Sequence, residues 1–161
     1  MPLTETQAYN EVARMTQSDE YPTLTNDDLT LIVETNVRYS AWVANTAYSF
    51  GDIVVPVIQN GRLYECSTAG TTGDTNQFPE YYTAYGNGIR FVDNTVTWVD
   101  AGPANTEKYD VRSAVRAGWI LKAAKVANLI NSKDGSQDIQ LENLHKQCLT
   151  MAERYRPLVI Y

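Results

Sequence analysis

The polar and apolar positions near the N-terminus have the pattern of two short helices. Thr4 and Gln7 have the spacing of a capping box and begin the first of them. Thr25 and Asp28 repeat that spacing, and the apolar residues after them recur at three- and four-residue intervals. The pattern therefore predicts a second helix that runs to about Trp42.

A different pattern follows, in which apolar residues alternate or stand together over a few positions. Residues 52–58 and 62–67 are predicted strands, and Asn60-Gly61 between them is typical of a two-residue hairpin turn. The segments IRFV and VTWV predict a second hairpin that turns at residues 93–95. Between the hairpins, residues 68–88 are rich in Gly, Thr and Tyr without any period, which indicates a long loop.

The helical period returns after residue 104. The stretch VRSAVRAGWILKAAKVANLI predicts a long helix, in which Gly118 indicates the close approach of another backbone. Pro157 ends a last helix and leaves the apolar residues LVIY at the terminus. This last helix has an apolar stripe on one face, formed by Leu141, Leu144, Cys148, Met151 and Tyr155.

Together these patterns predict an α+β fold: a small α-helical bundle of about four helices, interrupted by an inserted small β-hairpin domain. The helical domain comprises residues 1–43 and 104–161, and the inserted β module comprises residues 44–103. We expect the core of the bundle to contain Leu29, Ile32, Val33, Leu121, Leu144, Cys148 and Met151.

The distribution of charge narrows the classes of partner. The 161-residue chain has a formal net charge of −6, which disfavours a large basic surface for nucleic acid. Residues 107–161 nevertheless carry nine basic and six acidic side chains, whereas residues 1–42 carry two and seven. The last third is therefore either a face for an acidic partner, including the N-terminal part of another copy, or a pair of solvated helices.

Two further compositional features bear on the environment of the protein. With only two cysteines there is no disulfide framework, so a reducing compartment is expected. No stretch approaches the roughly 18 consecutive apolar residues of a membrane-spanning helix. We therefore expect no membrane partner.

No residue pattern indicates catalysis, so we expect a protein that is not an enzyme and has no cofactor or metal. His145 lies three residues before Cys148, but Cys148 falls on the apolar stripe, where a cysteine behaves as a small hydrophobic side chain. Aromatic residues of the β module could stack on sugars or fill its core, and the core is the favoured interpretation for Trp42, Tyr48, Tyr64 and Trp98. The candidate ligand-binding aromatics are Tyr81, Tyr82 and Tyr85.

Residues 109–156 resemble the C-terminal helical pair of head–tail connector proteins (adaptor or head-completion proteins) of long-tailed bacteriophages. The family pattern is a Tyr-Asp start, a helix with Trp and a Lys-Ala-rich segment, an Asp-Gly turn, and LxxxCxxMAxxYR. The matching residues are Tyr109, Asp110, Trp119, Lys122, Ala123, Asp134, Gly135, Leu144, Cys148, Met151, Ala152, Tyr155 and Arg156. Residues 21–42 look like the first part of the same family. Residues 42–79 and 94–98 are similar to small β modules inserted in phage structural proteins and to chitin-binding modules.

The resemblance implies a structural protein of the virion neck, assembled in the host cytoplasm. It implies a homo-oligomeric ring, expected to contain twelve copies, between the portal protein and the next neck or tail-completion protein. Double-stranded DNA would pass through the central channel without sequence-specific binding. The alternative is a carbohydrate- or receptor-binding module of a virion protein, in which the β module is the functional part.

Two groups of residues are the expected contact sites of such a ring. The first is an inter-subunit helix face formed by Arg112, Arg116, Trp119, Lys122 and Lys125. The second is a tail that docks in a groove of the portal protein or of a neighbouring subunit, formed by Arg156, Leu158, Val159, Ile160 and Tyr161.

Overall fold

The fold was examined in a computed structural model, which describes residues 3–58, 60–75, 78, 90–104, 107–132 and 139–156. These residues form four α-helices and a mixed β-sheet, so the chain is α+β. Contacts divide the chain into two compact units. The β unit is Arg38–Lys108, and the helical unit is Leu3–Val37 together with the chain from Tyr109 onward.

The helical unit is built from helices that begin where local capping chemistry places them. Its helices are α1 (Glu5–Thr16), α2 (Asn26–Thr35), α3 (Val111–Ser132) and α4 (Ile139–Arg154). The predicted capping boxes are confirmed: the hydroxyl oxygens of Thr4 and Thr25 accept from the backbone N–H groups of Gln7 and Asp28, each at 3.2 Å. Within the described ranges, no helix combines the length and the apolar character needed to cross a bilayer.

The predicted extension of α2 to Trp42 is wrong. The side-chain amide of Asn36 donates to the carbonyl oxygen of Ile32 at 2.7 Å and closes the last turn, so the helix ends at Thr35. Val37 then forms a β-bridge with Tyr109. Trp42 belongs to the β unit, where it is buried.

One continuous apolar cluster holds the helical unit together. Of the predicted core residues, four are buried, which confirms the prediction for them, and three are only half-buried against the same cluster. The buried ones are Leu29, Ile32, Val33 and Cys148, and the half-buried ones are Leu121, Leu144 and Met151. Gly118 faces the side chain of Thr16 rather than another backbone, since a Cβ at Gly118 would lie 2.6 Å from Thr16 Cγ2.

The described residues of the β unit form one five-stranded sheet and one two-stranded ladder. Its strands are β1 (Ser40–Ala41), β2 (Ala47–Tyr48), β3 (Ile53–Val55), β4 (Arg62–Thr68), β5 (Gly70–Thr71), β6 (Arg90–Asp93) and β7 (Val96–Pro103). The large sheet has the order β1-β3-β4-β7-β6, and β2 pairs with β5. The sheet is mixed because β1 runs parallel to β3 while the other neighbours are antiparallel.

Of the two predicted hairpins, one has a longer connection than the sequence indicated and the other is as predicted. Strand β3 pairs with β4 in the register Val54 opposite Tyr64, so Asn60-Gly61 is part of a longer connection over residues 56–61 and not a two-residue turn. Pro56 has no N–H to donate and follows the last residue of β3, which shortens the predicted strand. The second hairpin is confirmed, with Asp93 opposite Val96.

Aromatic rings fill the core of the β unit, as the sequence predicted for four of them. Trp42, Tyr48, Tyr64 and Trp98 are buried together with Phe78 and Val54. Tyr48 contacts Trp98 edge-on, with ring centres 5.1 Å apart. The indole N–H of Trp42 donates to the fully buried carboxylate of Asp93 at 2.9 Å, and this bond ties the first residues of the unit to the β6–β7 hairpin.

Candidate functional site

The C-terminal end of α4 is fastened by an arginine from the first turn of α3. Arg112 Nε donates to the carbonyl oxygen of Arg156, and its Nη2 donates to that of Arg154, both at 3.0 Å. The last carbonyls of a helix have no intrahelical donors and lie at the negative end of its dipole, so a guanidinium there is stabilising. Two predicted site residues, Arg112 and Arg156, are therefore brought together at the point from which the C-terminal residues leave the helix.

The tail itself is described only at its beginning. Arg156 is exposed and forms an ion pair with Glu153, with 3.2 Å between Nε and Oε2. Leu158, Val159, Ile160 and Tyr161 lie outside the described residues, so their predicted docking stays a prediction.

Arg116 lies one helical turn after Arg112 and is half-buried. Its Nε is hidden from solvent and has no hydrogen-bond partner. Nor does its guanidinium form an ion pair within the described part of the chain. Arg116 thus carries a charge and a donor that this part of the chain leaves unsatisfied.

Lys122 and Trp119 are interior residues of the helical unit, with 1% and 5% of their surfaces exposed. Lys122 Nζ donates to the carbonyl oxygens of Gln17 at 2.6 Å and Glu20 at 3.1 Å, and lies 5.1 Å from the centre of the Trp119 ring. Burial lowers the pKa of Lys122, partly opposed by Cys148 and by the carboxylates of Glu20 and Asp19. These two side chains stabilise the turn after α1 and are not available for contact with a neighbouring subunit.

Lys125 is also engaged within its own chain. Its Nζ donates to Asp28 Oδ2 at 2.6 Å and to the carbonyl oxygen of Thr23 at 3.0 Å. The hydrogen bond from Lys125 lowers the pKa of Asp28. Of the predicted inter-subunit face, therefore, the part near Arg112 and Arg116 remains accessible, whereas the part from Trp119 to Lys125 fastens α3 to α1 and α2.

The aromatic candidates of the β unit are placed differently. Tyr81, Tyr82 and Tyr85 lie outside the described residues. Phe50 is 75% exposed, while the rings of Trp42, Tyr48, Tyr64 and Trp98 are core. Phe50 is thus the large exposed ring in the described part of the β unit. The sequence signal for its exposure was its position next to Gly51-Asp52, because that pair is typical of a turn.

The thiol of Cys148, three residues after His145, does not have the surroundings of a reactive thiol. Cys148 is buried, and burial raises the pKa of its thiol. Among the described residues, no group of three or more His, Cys, Asp or Glu side chains is arranged to hold a metal ion.

Sequence reasoning missed the exposed apolar residues of the helical unit. The described ones are Tyr21 (58% exposed), Leu31 on α2 (61%), Ile120 and Leu129 on α3 (40% and 38%) and Leu149 on α4 (42%). For Leu31 the sequence did contain a signal of exposure. It stands four residues after Asp27 and three before Glu34, so it shares a helix face with two acidic residues. A cleft of ≈ 440 Å³ also lies between α1 and α2, lined by Glu5, Thr6, Tyr9, Thr30 and Val33.

No protein-family model matches the chain, and no curated protein or solved structure shows significant similarity to it.

Proposed function

We propose that this chain is a head–tail connector protein, a structural component of a phage virion neck. In this proposal the helices form a bundle that builds the wall of a homo-oligomeric ring, and the β unit is a module inserted between α2 and α3. The ring binds the portal protein on one side and the next neck or tail-completion protein on the other. Double-stranded DNA passes through its channel without sequence-specific contacts.

The observation that carries the proposal is that the residues of the resemblance act together in one helical hairpin. Asp110 caps α3, because its carboxylate accepts from the backbone N–H of Ser113 at 3.1 Å. Most of the other described members are core or half-buried side chains on α3 and α4: Trp119, Lys122, Ala123, Leu144, Cys148, Met151 and Ala152. Tyr109 and Tyr155 pack against the same cluster from positions just outside these helices, and Arg156 is exposed. A likeness that coincides with the internal contacts of a structural unit supports a shared fold better than scattered identities would.

Burial also weighs against the two competing functions. A cysteine nucleophile needs exposure and a lowered pKa, and Cys148 has neither. A sugar-binding module needs exposed rings, and Trp42, Tyr48, Tyr64 and Trp98 are core. The carbohydrate- or receptor-binding alternative therefore depends on Phe50 and on the tyrosines outside the described residues.

The test is assembly of the full-length chain with and without the portal protein encoded in the same genome. Electron microscopy and mass photometry should show ring particles, and twelve copies of an 18.0 kDa chain amount to about 216 kDa. A chain that stays monomeric at high concentration and does not bind portal particles would contradict the proposal. Binding of that monomer to chitin or to a glycan array would favour the alternative instead.

A further inference from the structure

The outer face of α2 presents an exposed leucine between two carboxylates. Asp27, Leu31 and Glu34 are four and three residues apart, so they share one face of the helix. Leu31 is 61% exposed and both acids are exposed. Neither carboxylate has a hydrogen bond or an ion pair with the described part of the chain. The three residues are called the acidic row below.

The outer face of α3 presents the complementary chemistry. Arg112, Arg116 and Ile120 are spaced four residues apart on α3 and form the basic row. Arg112 is occupied by the carbonyls at the end of α4, but Arg116 has a buried Nε and no hydrogen-bond or ion-pair partner among the described residues. Ile120 is 40% exposed, one turn from Arg116. A carboxylate of another copy would pair with the charge of the half-buried Arg116 guanidinium, which forms no ion pair within the described chain.

We propose that the acidic row of one copy packs against the basic row of the next copy. Leu31 would contact Ile120, and a carboxylate of the acidic row would accept from Arg116. Since Asp27 and Glu34 each lie about one turn from Leu31, one of them meets Arg116 whichever way the two helices run. The apolar pair supplies burial, while the charges set the register and favour association.

The geometry of the proposed contact suits a ring. Its two surfaces are different, so the contact is heterologous, and repeated heterologous contacts close a ring when the rotation between copies allows it. The charge distribution agrees, because the acidic excess lies in residues 1–42 and the basic excess in residues 107–161. This inference rests on the proposed function, which requires copies of the chain to assemble side by side.

Charge reversal on each row tests the contact. The basic row is reversed by Arg116→Glu, and the acidic row by Asp27→Lys combined with Glu34→Lys. Lys146→Glu is the matched control, because it makes the same charge change at an exposed position of α4 outside both rows. Self-association is measured by sedimentation velocity at low salt, and loading onto portal particles by co-sedimentation. Circular dichroism checks that each variant is folded.

Each reversed variant should associate at least about tenfold more weakly than wild type, because like charges face each other across the contact. The control should associate as wild type does. An equimolar mixture of the two reversed variants should recover association, since each altered row then meets its complement in alternating order. Should Arg116→Glu unfold, Arg116→Gln removes the positive charge without adding a negative one, keeps an amide N–H donor near the position of Nε, and should still weaken association.

The outcomes separate this inference from the function on which it rests. A wild type that assembles while Arg116→Glu assembles equally well overturns the contact and leaves the connector function standing. Failure of the mixture to recover association also overturns the pairing of the two rows. A wild type that neither self-associates nor loads onto portal particles overturns the connector function, and the contact with it.

Discussion

Replacing the buried Lys122 by methionine should destabilise the helical unit. Lys122→Met keeps the apolar stem and removes the ammonium that donates to the carbonyl oxygens of Gln17 and Glu20 at 2.6 and 3.1 Å. A hydrogen bond to a charged group contributes about 1.5–3 kcal/mol, and the contact with the Trp119 ring adds about 0.5–2 kcal/mol. Relief of the cost of burying a charge offsets part of this sum, so we expect a net loss of about 1–3 kcal/mol.

The matched control is Lys125→Met, the same substitution three positions further along α3. Lys125 is 33% exposed at its side chain, and its ion pair with Asp28 is partly solvated, so its loss should cost at most about 1 kcal/mol. Urea unfolding is followed by circular dichroism at a helix-sensitive wavelength, which reports on the helical unit because the four described helices lie there. Equal losses for the two variants, or a Lys122→Met variant more stable than wild type, would refute the reasoning.

The pH dependence gives the same experiment a second readout. Burial lowers the pKa of Lys122 below that of a lysine in the unfolded chain. Between those two values the unfolded state binds more protons than the folded state, so raising the pH favours folding. The stability deficit of Lys122→Met relative to wild type should therefore grow as the pH is raised from neutrality towards the ordinary pKa of lysine, about 10.4. A deficit that shrinks over this range would contradict the lowered pKa.

Three further predictions follow from particular contacts. Gly118→Ala should cost about 1–2 kcal/mol because its Cβ would lie 2.6 Å from Thr16 Cγ2, and adding Thr16→Ser, which removes that methyl group, should restore thermal stability. Arg62→Lys should lower the free energy of unfolding of the β unit by about 1–3 kcal/mol, since lysine cannot reproduce the bidentate contact with the nearly buried Asp100 at 2.6–3.0 Å. Thermal unfolding followed by tryptophan fluorescence should show a lower melting temperature, and an unchanged melting temperature would contradict the prediction. The Cys66 and Cys148 thiols, which are buried and have raised pKa values, should react with a thiol-specific reagent far more slowly in the native chain than in denaturant, and equally fast labelling in both would show that they are accessible.

The parts of the fold that the sequence predicted correctly depend on neighbours along the chain. The starts of α1 and α2 follow from capping boxes between residues three apart, and the β6–β7 hairpin follows from a short turn. Two errors have local causes, because Asn36 closes the last turn of α2 and Pro56 follows the last residue of β3. Others involve distant partners: the chain beyond α2 enters a bridge between Val37 and Tyr109, and β1 was missed because it pairs in parallel with β3. No local pattern encodes either pairing.

The candidate site shows the same division. Lys122 has the sequence context of a surface lysine, yet its acceptor in Gln17 lies 105 positions away along the chain. Its burial could be recognised only once α1 and α3 were placed together. Arg112 and Arg116 carry the same charge and lie one turn apart on the same face of α3. Only the structure distinguishes Arg112, which caps α4, from Arg116, which has no partner in the described part of the chain.

The difference between interior and exposed residues limits what a connector-like sequence pattern can indicate about function. Trp119, Lys122 and Cys148 belong to the pattern and are interior, so selection for packing of the α3–α4 hairpin is enough to preserve them. Leu31 and Ile120 are not among the matching residues of the pattern and are exposed, so packing does not require them to be apolar. Consider two related chains that both retain the pattern, of which only one retains apolar residues at positions 31 and 120. Both would form the hairpin, but under the proposed contact their self-association would differ. The identity of a partner is therefore to be sought in the outer rows of α2 and α3, and charge reversal there tests function where substitution in the core would test only folding.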